Sequence, residues 1–346
     1  MLDAIIKATL HDDVYREDET TSKFEQEMAA LCGHEAAAFV ITGTMANQLA
    51  LLTLLSQPPH AILADAQAHI VNFEAGGTSH LSGASVQAIR PMNHKYLTLE
   101  DIQRYAIISD DVQRCPTRVI SLEQTTSGGL VIPLEELQRI HAWAKDHDIF
   151  IHVDGSRLWE AIATGAGSMR DFAQCCDIVT LEFGKNLGAP MGAMVIGSLD
   201  RIERLRRLRK SIGGGLRQAG ILAAAARKAV WENFGPGVWD SKGVLPTCHK
   251  LAKHIGNSWV HIGGKLLRDV ETNMIWVDLA EAGISVKEWN ETGRRHGIKL
   301  DGRRIVVHHQ ICDEAVQILE RVFTEVLKRV PPHSSIERVH QVSARL

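Results

Sequence analysis

The chain has 346 residues, 45% of them hydrophobic and 23% charged, with a formal net charge of -3. These values exclude a disordered chain and a basic nucleic-acid binder, and no run approaches the eighteen or so unbroken apolar residues of a membrane span. Six scattered cysteines without CxxC or zinc-like spacing read as free thiols in a reducing compartment, so a cytoplasmic protein without a metal site is expected. Met1 to Lys7 holds an acidic residue and no long apolar run, which is not a secretory signal.

Read in order, residues 1–20 form an acidic arm ending in His11-Asp12-Asp13-Val14-Tyr15-Arg16-Glu17-Asp18-Glu19-Thr20, which either lies on the body or frays. Phe24, Met28 and Leu31 carry helical spacing. An apolar run over 36–41 is strand-like, and Thr42-Gly43-Thr44 then turns into an apolar helix over 46–55. A helix amino terminus presents backbone N–H groups with the dipole behind them, so Gly43 and Thr44 suit a phosphate, although Gly-Thr is also an ordinary cap. Residues 61–64 read as another strand, with His69 beyond it. A further strand over 118–123 leads to Thr126 and then to a helix from Pro133 to His147.

The segment 150–192 carries the clearest chemistry. Two short apolar runs, 149–153 and 177–183, end in Asp154-Gly155-Ser156-Arg157 and in Gly184-Lys185-Asn186. Such runs bounded by glycine read as buried strands of a mainly parallel sheet. Ligands of open α/β sheets sit beyond the carboxyl ends of the strands, which puts Asp154 and Lys185 in one crevice. Pyridoxal phosphate needs this pair of residue types. A lysine amine condenses with the cofactor aldehyde, and a carboxylate keeps the ring nitrogen protonated so that the ring remains an electron sink. Either residue alone also fits a cap or a solvated loop charge.

Beyond Lys185, residues 191–197 read as an antiparallel or edge strand and 200–212 as a basic helix. Gly213-Gly214-Gly215 precedes Arg217, and an alanine-rich helix over 222–231 meets a Gly/Pro cluster at Gly235-Pro236-Gly237, the natural domain boundary. The expected division is an arm over 1–20, a large domain over 21–234 and a small α/β domain over 235–346. The small domain would hold strands near 274–277 and 305–310, helices near 286–297 and 313–330, and a polar tail from Pro331.

His152-Val153-Asp154-Gly155-Ser156-Arg157-Leu158-Trp159, Lys185-Asn186-Leu187-Gly188-Ala189-Pro190-Met191-Gly192 and Thr42-Gly43-Thr44-Met45-Ala46-Asn47-Gln48 together resemble the threonine aldolase family of pyridoxal-phosphate enzymes. The resemblance runs from about Asp12 to Gln310. It implies fold type I, a large domain on a mixed, mainly parallel seven-stranded sheet with a smaller carboxyl-terminal α/β domain. It also implies a homodimer or homotetramer with small amino-acid substrates and neither nucleic acid nor membrane as a partner.

The resemblance assigns Lys185 as the cofactor lysine, Asp154 as the partner of the ring nitrogen, and His69 as the stacking ring that also exchanges protons. It places Gly43, Thr44 and Arg157 near the cofactor, and Arg217 near the cofactor phosphate or a subunit boundary. Arg304, with Arg303 as the other register, would clamp the substrate carboxylate, assisted by Arg157, with Tyr15 and Thr126 near the substrate. Many family members have Glu-Asn-Thr-His where this chain has Glu123-Gln124-Thr125-Thr126, and a threonine cannot take the proton such a histidine takes. The implied reaction is cleavage of a β-hydroxy-α-amino acid to glycine and an aldehyde. The other readings are an amino-acid racemase of alanine racemase type and an inactive binding subunit of the same fold.

Overall fold

The computed structural model describes residues 1–235 and 243–328, so Pro236, Gly237 and the tail from Pro331 lie outside the described residues. The chain divides into two compact units. One comprises Met1–Leu251 with Val270–Met274 and Val307–His309, and the other comprises Ala252–Asp269, Ile275–Val306 and the residues from Gln310 on. The first unit's main segment ends at Leu251.

The first unit is built on a seven-stranded sheet. Its strands are β1 (Ala36–Val40), β2 (Ala61–Asp65), β3 (Ser85–Ile89), β4 (Thr117–Glu123), β5 (Phe150–Gly155), β6 (Ile178–Glu182) and β7 (Ala193–Gly197). Their spatial order is β1-β7-β6-β5-β4-β2-β3. Neighbours from β6 across to β3 pair in parallel, and β7 runs antiparallel to both β6 and β1. The run over 191–197 is thus antiparallel, as expected, but interior, with β1 taking the edge.

Alternation along each strand explains why both faces are covered. On β1, Phe39 packs into one apolar cluster while Ala38 and Val40 pack into the other, and on β7 Met194 and Ile196 oppose Val195 in the same way. Strands buried on both faces therefore read as unbroken apolar runs. Helices Glu19–Cys32 and Leu134–Asp146 contribute to the first cluster and helix Gly43–Leu54 to the second. Gly155, last in β5, has no room for a side chain, since a Cβ there would lie 2.5 Å from the Thr180 carbonyl oxygen.

The amino-terminal arm is anchored to this unit. Asp13 N–H donates to the Arg217 carbonyl at 2.8 Å, and the buried Asp13 carboxylate pairs with buried Arg209 at 3.1 Å.

A two-stranded sheet joins β8 (Met274–Trp276), whose Ile275 and Trp276 belong to the second unit, and β9 (Arg304–Val306) of that unit. The expected strand over 305–310 stops at Val306. Trp259, Trp289 and Phe323 form its aromatic core, with ring centroids 5.1–5.8 Å apart. Helix Asp313–Lys328 presents Val316, Leu319, Val322, Phe323 and Val326 as its buried stripe. No helix among the described residues is long and apolar enough to cross a membrane.

Candidate active site

Because β1, β2, β4, β5 and β6 share one direction, their carboxyl ends deliver polar residues to one edge of the sheet. Gly43 and Thr44 follow β1, His69 follows β2, Glu123 ends β4, Asp154 stands next to last in β5, and Glu182 ends β6 three residues before Lys185. Gly43, Thr44, Asn47, His69, Glu182 and Lys185 are among the residues lining a cleft of about 280 Å³.

The cleft opens at the amino terminus of helix Gly43–Leu54. The Thr42 hydroxyl caps that helix by accepting the Met45 N–H at 3.1 Å. First-turn N–H groups of a helix have no intrahelical acceptor and attract anions. Gly43 keeps this cup open, since a Cβ there would lie 3.3 Å from Glu182 Cγ and 3.5 Å from Ser156 Oγ.

Asp154 is held from two sides. Its Oδ2 accepts from Asn47 Nδ2 at 2.8 Å and its Oδ1 from the Ser156 N–H at 2.9 Å. The same Asn47 amide donates to Glu74 Oε1 at 2.9 Å, and its own oxygen accepts the Thr180 hydroxyl at 2.9 Å. Glu74 in turn binds His69 Nδ1 at 2.8 Å and the Gln48 amide. One buried asparagine thereby ties the carboxylate of β5 to the imidazole that follows β2.

The charges sort themselves by environment. Burial pushes the Asp154 carboxyl up, but the Lys185 ammonium, the Ser156 contacts and His152 together hold it below the ordinary range. Its neighbour in register, Glu123, is pushed up to about 7 by burial and by the Asp154 charge, against N–H donors from His69 and Ser127. Of two adjacent carboxyls, Asp154 keeps its charge and Glu123 holds its proton more tightly. The His69 imidazole is raised above its usual value, chiefly by the hydrogen bond to Glu74 and against the effect of burial. The Lys185 amine is lowered by burial and by the nearby Arg157 guanidinium, with Asp154, Glu182 and Glu123 opposing.

Glu182 is the carboxylate inside the cup. Its Oε1 accepts the Gly184 N–H at 2.9 Å and its Oε2 lies 3.6 Å from Lys185 Nζ, so its charge faces the lysine.

The structure brings Gly43, Thr44, His69 and Lys185 to one cleft, with Asp154 bonded to the lining Asn47 and the Arg157 guanidinium acting on the Lys185 amine. Thr126 lies beyond β4 in a tight turn, buried, with its hydroxyl accepting the Leu130 N–H at 3.2 Å and its own N–H donating to the Leu130 carbonyl at 2.9 Å. Tyr15 is 75% exposed at the end of the turn Asp13–Tyr15. Arg217 is paired with Asp12 of the arm at 2.9 Å, is largely exposed, and does not line the cleft. Arg304 belongs to the second unit, where it opens β9 with its guanidinium 6.0 Å from the Trp276 ring centroid. Asn47, Glu74 and Glu182 do not stand out in the sequence as site residues. Asn47-Gln48 inside an otherwise apolar helix was the available signal, because buried polar groups need partners.

The β-eliminating lyase family profile matches residues 1–282. The chain is 50% identical over 331 residues to alanine racemase TOXG of Cochliobolus carbonum, covering 96% of this chain and 85% of that one. It is 38% identical over 335 residues to the low-specificity L-threonine aldolase of Candida albicans, covering 96% and 87%. A solved structure of Leishmania major threonine aldolase is similar with a TM-score of 0.77 at 18% identity, covering 94% of this chain and 95% of that one. Fold and site thus define a fold type I enzyme that depends on pyridoxal phosphate. The chain belongs to the β-eliminating lyase family and is a pyridoxal-phosphate-dependent lyase.

Proposed function

We propose that the protein cleaves a β-hydroxy-α-amino acid of threonine or allo-threonine type to glycine and an aldehyde. Pyridoxal phosphate, when bound, supplies the electron sink for the bond broken at Cα. The residues present fit that group. Lys185 offers the amine, the charged Asp154 suits a protonated ring nitrogen, and the first turn of helix Gly43–Leu54 suits the phosphate.

The observation that carries the reading is the His69–Glu74 pair. With Nδ1 committed to Glu74 at 2.8 Å, the other nitrogen of the cleft-lining ring is the one available to take the β-hydroxyl proton. Lys185, once released from the cofactor, is a stronger candidate for a neutral base than a solvated lysine because burial lowers its amine. Arg304 is proposed to bind the substrate carboxylate, because a guanidinium offers paired in-plane donors. Arg157 is proposed to assist it. We also propose a homodimer or homotetramer, a reading supported by the exposed Leu2, Ile6 and Leu10 of the arm.

A second reading, alanine racemisation, is supported by the identity shared with TOXG and by Thr126, whose hydroxyl is engaged with Leu130. There the Cα proton would be removed and returned within the site. Release of glycine and acetaldehyde from L-threonine or L-allo-threonine tests the primary reading. Racemisation of alanine without aldehyde from any β-hydroxy amino acid would replace it.

A further inference from the structure

The Lys185 segment is gripped by a second group of buried side chains. Helix Leu158–Ala163 begins immediately after Arg157, and two consecutive residues of it reach the chain on either side of Lys185. Trp159 Nε1–H donates to the Glu182 carbonyl at 3.1 Å. Glu160 Oε1 accepts from Asn186 Nδ2 at 2.8 Å, while its Oε2 accepts from His249 Nε2 at 2.5 Å. Glu160, Asn186 and His249 are all buried, with Glu160 only 2% exposed. Further along, Asn233 Nδ2 donates to the Leu187 carbonyl at 2.7 Å.

A carboxylate removed from water is costly unless both oxygens have donors, and here they have one each. One donor stands directly after Lys185 in the chain. The other comes from helix Leu245–His261, 89 residues distant in sequence. None of Glu160, Asn186 and His249 lines the cleft, so the proton transfers proposed above do not employ them.

We infer that Glu160, braced by His249, is a positioning residue that holds Asn186 and thereby presents the Lys185 amine for capture of the cofactor aldehyde. The helix that carries Glu160 also continues the Asp154–Arg157 segment. Glu160 therefore fixes the lysine relative to the carboxylate on which the cofactor ring depends. Positioning of this kind acts on the rate at which a preformed geometry is reached.

The inference rests on Lys185 as the cofactor lysine, and the test separates the two. Full-length protein stripped of cofactor is mixed with pyridoxal phosphate, and the rise of visible absorbance from the lysine-linked cofactor is followed in time, with thermal unfolding measured in parallel. Asn186→Ala and Glu160→Ala should each slow capture about tenfold, the scale of one lost charge-assisted hydrogen bond. Glu160→Gln, whose amide oxygen can still accept from Asn186, should stay within about threefold of wild type. The Glu160→Ala, Asn186→Ala double variant should be no slower than the slower single, because both act through one bond. Should Glu160→Ala fail to fold, Asn186→Ala and Glu160→Gln carry the test. Wild-type capture by Asn186→Ala, or additive losses in the double variant, overturns the inference while leaving Lys185 in place. Capture that survives in Lys185→Ala overturns the anchor and this inference with it.

Discussion

His69 Nδ1 lies 2.8 Å from Glu74 Oε1, and the same carboxylate oxygen accepts from Asn47, which also binds Asp154. The imidazole is therefore held on a buried anion that is itself wired to the carboxylate of β5. Glu74 is the main cause of the raised His69 basicity. Glu74→Gln should lower it, moving the imidazole titration and the acid limb of kcat/KM to lower pH. An NMR titration of the His69 ring checks this, and an unmoved midpoint would remove Glu74 from the account.

Two buried groups give stability opposing pH slopes. Burial holds the His152 imidazole down to about 4, against Asp154 and Glu74, from an ordinary value of 6.5. Between those limits the unfolded chain binds a proton the folded chain does not, so stability is lost as pH falls from 6.5 toward 4, by up to about 3 kcal/mol. Glu123 behaves oppositely. Its folded value near 7 exceeds the ordinary 4.5, so its contribution is present below 4.5 and lost as pH rises through 7. Unfolding midpoints over pH 4 to 8 should show a smaller acid slope in His152→Gln and a smaller neutral slope in Glu123→Gln.

Arg304→Lys should raise KM for amino-acid substrates about ten- to a hundredfold, the equivalent of roughly 1.5–3 kcal/mol, because an ammonium cannot reproduce the fork. The affinity for pyridoxal phosphate should stay unchanged. Weakened cofactor retention with an unchanged KM would move Arg304 to the phosphate.

Thr126→His removes the hydroxyl that accepts the Leu130 N–H and should cost about 1 kcal/mol of stability through that bond. On the aldolase reading it should also raise cleavage or change the threo/erythro preference, since an imidazole can take the proton that a threonine cannot. Product analysis with L-threonine and L-allo-threonine distinguishes the two effects. An unchanged rate and preference in a folded variant would show that position 126 does not reach the hydroxyl.

Much of this architecture is legible in the sequence because parallel strands covered on both faces are short apolar runs, and their carboxyl ends carry the polar residues that stand out. Lys185, Asp154 and His69 are visible for that reason. β3 is not, since no residue of Ser85–Ile89 is fully buried and the strand alternates weakly. The helix Leu245–His261 hides behind Pro246 near its start and Gly256 within it. The supports of the site are invisible for a different reason. Asn47 meets Asp154 across 107 residues and His249 meets Glu160 across 89, contacts made only by folding. Arg217 and Asp12 likewise pair across 205 residues.

The most direct test of the central claim is a partition experiment in deuterium oxide with cofactor-loaded protein, offering L-threonine, L-allo-threonine and single-enantiomer alanine in turn. The products are quantified as acetaldehyde, glycine and Cα-deuterated amino acid. Cleavage through Lys185, His69 and Asp154 predicts acetaldehyde and glycine in equal amounts, slow exchange into alanine, and loss of both reactions in Lys185→Ala. Rapid deuteration and racemisation of alanine, with no aldehyde from either β-hydroxy amino acid, would contradict it.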